Sequence, residues 1–116
     1  MQPLLTKVKR AWAAEANAHA LSALRVPRAV AASQTLTADD DLVSVGTRLA
    51  VITLTLPTTS PVGAMLEVID FAGQAATYGI AIAPGGSDVV LGATTISTNY
   101  GSRRIFKMAA GVWRAV

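Results

Sequence analysis

Leu49-Ala50-Val51-Ile52-Thr53-Leu54-Thr55-Leu56, closed by Pro57, is the stretch that decides the fold class of this chain. Ile52, Leu54 and Leu56 fall on one side of an extended segment, Thr53 and Thr55 on the other. That period of two is the signature of a half-buried strand. β-Branched residues suit a pleated surface, and Pro57 lacks the N–H needed to continue a ladder. Outward from this segment the same alternation predicts strands at about 34–37, 42–45, 65–70, 79–83, 88–91, 94–98, 103–108 and 112–116. Turn residues punctuate them at Thr58-Thr59-Ser60-Pro61-Val62-Gly63, at Pro84-Gly85-Gly86-Ser87 and at Asn99-Tyr100-Gly101-Ser102. No long helix fits between the strands, which argues against a parallel βαβ arrangement. The expectation is a mainly β fold: a compact, antiparallel-rich module of sandwich- or barrel-like form, without an internal repeat of fixed period.

Upstream the period changes. Leu4 to Leu24 is Ala-rich and free of internal Gly or Pro, with Pro3 near its start, and it predicts a short α-helix. Leu5, Val8 and Trp12 recur at helical spacing and Ala16, Ala20 and Leu24 continue the stripe, while Lys7, Lys9 and Arg10 project away from it. So short and small-faced a helix is marginal alone in water and needs something to pack on: its own domain, copies of itself or a larger partner. Pro27 stops it, because the residue before a proline is pushed out of the α region. Arg25 to Ser33 then predicts an extended connector. The expected organisation is a basic amphipathic helix over 1–28, serving as anchor or stalk, followed by a β-rich module over 29–116.

The bulk numbers bound the rest. With 116 residues, 52% of them hydrophobic and 15% charged, the chain is a single domain with an appended arm rather than a disordered polymer. Folding at this size buries roughly 65% of the unfolded chain's surface, so surplus apolar area makes oligomerisation a natural outlet. There is no cysteine, hence no disulfide framework and no thiolate chemistry. No run approaches the length of a membrane span, and Glu15, Asn17 and His19 interrupt what would have to be the apolar core of a signal peptide. The net charge of +3 is segregated. Residues 1–28 carry five cations against Glu15. Residues 29–102 carry Arg48 alone against Asp39, Asp40, Asp41, Glu67, Asp70 and Asp88. Arg103, Arg104, Lys107 and Arg114 close the chain. Basic ends on an acidic body suggest ends that face different partners or subunits; at the C-terminus, simple solvation is an equal reading.

No pattern of reactive residues points to catalysis. His19 is the only imidazole, and Glu15 four residues earlier shares its helix face, which an i,i+4 contact explains without a third ligand. Asp39-Asp40-Asp41 lacks the spacing of a calcium loop and reads as a solvated turn before a strand. Glu67 and Asp70 sit at odd spacing on one strand, so they point to opposite faces and form no carboxylate pair. Pro84-Gly85-Gly86-Ser87-Asp88 has neither the lysine nor the helix of a phosphate cradle and reads as a hairpin turn. Phe106 and Trp113 among the C-terminal cations match a nucleic-acid surface weakly, since both are needed for a core. The expectation is a structural or docking protein, not an enzyme, with no cofactor or metal and with nucleic acid an unlikely partner.

Read in order, the β region resembles a known module. Thr35-Leu36-Thr37-Ala38-Asp39-Asp40 precedes the strand ending Thr53-Leu54-Thr55-Leu56-Pro57. Val68-Ile69-Asp70 with Gly73 comes next, then Ile80-Ala81-Ile82-Ala83-Pro84-Gly85-Gly86, Asn99-Tyr100-Gly101-Ser102 and Gly111-Val112-Trp113. This series over residues 34–116 resembles the small β module of tailed-bacteriophage virion proteins: tail fibres, head fibres and capsid decoration proteins. Where that module often has Lys before the Asp, this chain has Ile69, so a role for that lysine does not transfer. The resemblance implies a homotrimeric virion structural protein, a capsid-decoration or head-fibre-type appendage assembled in the bacterial cytoplasm. Its partners would be its own copies and the major capsid or tail protein. Leu5, Val8, Lys9, Arg10 and Trp12 would then form a trimer stalk or dock on the particle. A tail-fibre or tail adaptor component touching the host surface is the alternative. A carbohydrate-binding β module is a third reading, with Trp113 as its candidate contact unless that side chain closes the core.

Overall fold

A computed structural model describes residues 26–116. The helix expected over 4–24 lies outside the described residues, and with it Leu5, Val8, Lys9, Arg10 and Trp12. Ten strands follow: β1 (Arg28–Val30), β2 (Gln34–Thr35), β3 (Leu42–Val45), β4 (Ile52–Thr55), β5 (Met65–Asp70), β6 (Ile80–Ala83), β7 (Val89–Leu91), β8 (Thr95–Ile96), β9 (Ser102–Ala109) and β10 (Val112–Ala115). The mainly β expectation holds, and most strands start and stop within a few residues of their predicted bounds.

The strands form two sheets, ordered β1-β3-β5-β9-β10-β7 and β2-β4-β6-β8. From β1 to β9 the chain changes sheet at every step; β1–β3, β2–β4, β3–β5, β4–β6 and β6–β8 pair two places along, while β5 pairs with β9 and β7 with β10. β1, β3 and β5 run parallel, as do β2, β4 and β6. Antiparallel pairing is confined to β6–β8, β5–β9 and β9–β10. The sheets are therefore mixed, and the antiparallel-rich expectation is corrected. A parallel pair needs a crossover, commonly a helix; here the return path is a strand in the opposite sheet. Arg28 lies opposite Val43 and Leu42 opposite Glu67, circuits of 15 and then 25 residues. Unequal circuits leave no period for the eye to find.

Two further readings change. The stretch taken as a connector before Ser33 contains β1, whose Val30 is buried. The Pro84–Ser87 turn is a corner from β6 in one sheet to β7 in the other, not a hairpin. Local turn chemistry is the same for both.

Inward residues of the two sheets make one core. Ile52, Leu54 and Leu56 are buried as their alternation required, and Thr53 faces out. Val30, Leu36, Val43, Val45, Leu66, Val68, Ala75, Ile80, Ile82, Ile96, Ile105, Trp113 and Ala115 complete the cluster. Leu49 and Val51 do not extend β4; both are exposed, while Arg48 just before them is buried.

Candidate functional site

Arg48 and Asp70 are both buried and form an ion pair at 3.1 Å. Asp70 is the last residue of β5. The alternation that turns Glu67 outward brings its carboxylate into the interior between the two sheets. One oxygen accepts from Arg48 Nη1; the other accepts from the backbone N–H groups of Ala75 at 2.8 Å and Tyr100 at 3.1 Å. The guanidinium also donates to the carbonyls of Gly46 and Tyr78, and the Arg48 N–H donates to Gln74 Oε1. Burial pushes the Asp70 carboxyl up, but the two backbone donors and Arg48 outweigh it and hold the group below its ordinary value of 3.8. This knot ties together the segment after β3, the loop after β5 and the turn before β9.

Gly73 belongs to the same knot. Its φ is +71°, and a Cβ placed there would lie 2.3 Å from Cζ of the Tyr100 ring. Thus Asp70 and Gly73, three residues apart, meet Tyr100 from a separate stretch of the sequence.

A second buried group lies on β9 and β10. Lys107 points inward, 3.5 Å from Asp88, with its ammonium 5.1 Å from the centre of the Trp113 ring. Trp113 is 1% exposed, so the core reading of this residue holds and a glycan contact through it does not. Lys107 is buried as well, whereas Arg104 and Arg114 are exposed. Trp113 also lines a cleft of about 230 Å³ with Asp40, Asp41, Pro57, Pro61 and Leu66 among its walls.

The acidic turn has a structural task. Asp40 accepts from the Thr37 N–H and from Arg28, fixing the turn to β1. Glu67 and Arg104 pair across β5 and β9 at 3.1 Å on the surface, where such pairs contribute little. Among the described residues, no three His, Asp or Glu side chains converge as metal ligands, and no helix is long and apolar enough to cross a membrane.

Reading the sequence missed the Arg48–Asp70 pair. Its signal was present: Arg48 is the one cation between residues 29 and 102, and Asp70 occupies an inward register position on its strand. Neither fact says which strand end approaches which loop. Among known proteins, neither a family model nor a curated sequence matches the chain.

Proposed function

We propose that the chain is a structural component of a tailed-bacteriophage particle, a homotrimeric capsid-decoration or head-fibre-type appendage anchored through its N-terminal segment. The observation that carries this reading is the knot. The Asp70-x-x-Gly73 and Asn99-Tyr100-Gly101 stretches, on which the resemblance to virion modules partly rests, are joined by the Tyr100 N–H to Asp70 bond and by the ring seated over Gly73. Residues recurring together for a shared framework would be expected to meet in this way. The charged side chains Arg28, Arg48, Lys107, Asp40, Asp70 and Asp88 are likewise spent on holding strands and turns together, which suits a scaffold better than a reaction centre.

Mass spectrometry of purified virions from a lysate expressing the chain tests the reading; a stoichiometric copy number is expected, and none at all overturns it. Light scattering on the isolated protein should return three times the 12.0 kDa chain mass.

A further inference from the structure

Among the described residues, β1 and β7 close the edges of one sheet and β2 and β8 those of the other. β2 and β8 are two residues long, and β1 carries Arg28 directly after Pro27. Short edges, charge and proline are the usual guards against unwanted pairing. β7 is longer than two residues and has neither charge nor proline: it is Val89-Val90-Leu91, with Val89 and Leu91 48% and 52% exposed. Val90 packs on the core, so its two neighbours turn to the outer face of the sheet. There they continue an apolar surface. Val112 lies opposite Val89, and one register row runs Met65, Phe106, Arg114, Leu91 across β5, β9, β10 and β7. Arg114 is the cation of that row, and it is exposed.

The chain also carries a hollow of matching chemistry. The cleft of about 230 Å³ has Pro57, Pro61, Leu66 and Trp113 among its apolar walls, with Asp40 and Asp41 beside them. A cavity of about 150 Å³ already holds a benzene-sized group, so there is room for a leucine side chain. Asp39 stands exposed next to the two aspartates, which makes the surroundings of the cleft acidic. Leu91 and Arg114, neighbours in register, supply the apolar group and the positive charge that such a place calls for. Within one copy the two features cannot meet, because on β10 Trp113 points inward and Arg114 outward. The described residues carry six cationic and six carboxylate side chains, so two copies approach each other without net repulsion.

We infer that copies of this chain associate head to tail, Leu91 of one copy entering the cleft of the next while its Arg114 meets the Asp39-Asp40-Asp41 turn. A contact between two different patches is heterologous, and it closes into a ring or runs on as a filament. The trimer of the proposed function is its closed form, with the unguarded β7 edge shielded in each copy. The basic segment over residues 1–25 suits the acidic turn but not the face around Arg114, where like charges would meet; a second copy satisfies both. This contact rests on the trimer of the proposed function and not on its place in a virion.

Light scattering of the full chain over a dilution series tests the contact. Leu91→Asp and Arg114→Glu alter exposed positions, so both variants should keep the unfolding midpoint of the unaltered chain. Each should weaken association about tenfold or more. Asp39→Arg should weaken it less, and combined with Arg114→Glu it should recover part of the loss, because the two charges are then exchanged. A trimer that Leu91→Asp and Arg114→Glu both leave intact overturns this contact while the trimer itself stands. A chain that is monomeric even at millimolar concentration overturns both. No recovery in the Asp39→Arg, Arg114→Glu double variant overturns the pairing of these charges. A trimer insensitive to the three body substitutions but lost in the Lys9→Glu, Arg10→Glu variant overturns the contact in favour of the N-terminal segment.

Discussion

Asp70 takes three donors in the interior, so its protonation removes stability from the fold. Its carboxyl titrates below its ordinary value of 3.8 in the folded state. The stability it contributes is therefore complete above that value and is lost as pH falls through the lower, folded-state value. Asp70→Asn leaves Arg48 buried beside an uncharged group and should cost about 3–5 kcal/mol at neutral pH. Urea denaturation from pH 7 down to pH 2 checks both points: the acid loss should shrink in the variant. A second residue-scale expectation concerns Gly73. Gly73→Ala meets the Tyr100 ring and an unfavourable φ together, and should cost about 1–3 kcal/mol. Tyr100→Gly removes the ring, so the double variant should recover part of that loss. A double-mutant cycle by equilibrium unfolding measures the coupling, and strict additivity would show that the contact is absent.

At the scale of elements, alternation was legible and pairing was not. β4 shows both. Leu54 is fully buried and Thr53 faces out, so Leu54→Ala should cost about 2–5 kcal/mol. Thr53→Ala should stay within about 0.5 kcal/mol. Thermal and urea unfolding of the two variants tests the facing of the strand directly. β1 escaped notice because three residues after a proline carry too little pattern, and its identity comes from pairing with β3. The turns at 58–63, 84–87 and 99–102 were found because Gly, Pro, Asn and Ser favour bends wherever the chain then goes. Whether a bend returns to the same sheet or crosses to the other depends on which edges are open, and that is a property of the assembled sheets.

For the whole molecule, the boundary between arm and body has moved. Arg28 lies in β1 and bonds Asp40 and Gln34, so a cut after residue 28 would damage the body, and a deletion of residues 1–25 is the sound separation. The remaining 26–116 should unfold cooperatively and still form trimers by light scattering while losing attachment to particles. A monomeric product would instead assign association to the N-terminal segment. The sequence by itself determined the mainly β class, the inward and outward faces of the strands and the places of the bends, because side-chain alternation and turn chemistry act over a few residues. Only the tertiary structure decided that the chain alternates between two mixed sheets. It alone joined Gly73 and Tyr100 to the buried Arg48–Asp70 pair and left Phe71 and Tyr100, rather than Trp113, as the aromatics offered to solvent. Those outcomes depend on contacts between residues 22 to 30 positions apart, a range over which no local pattern carries information.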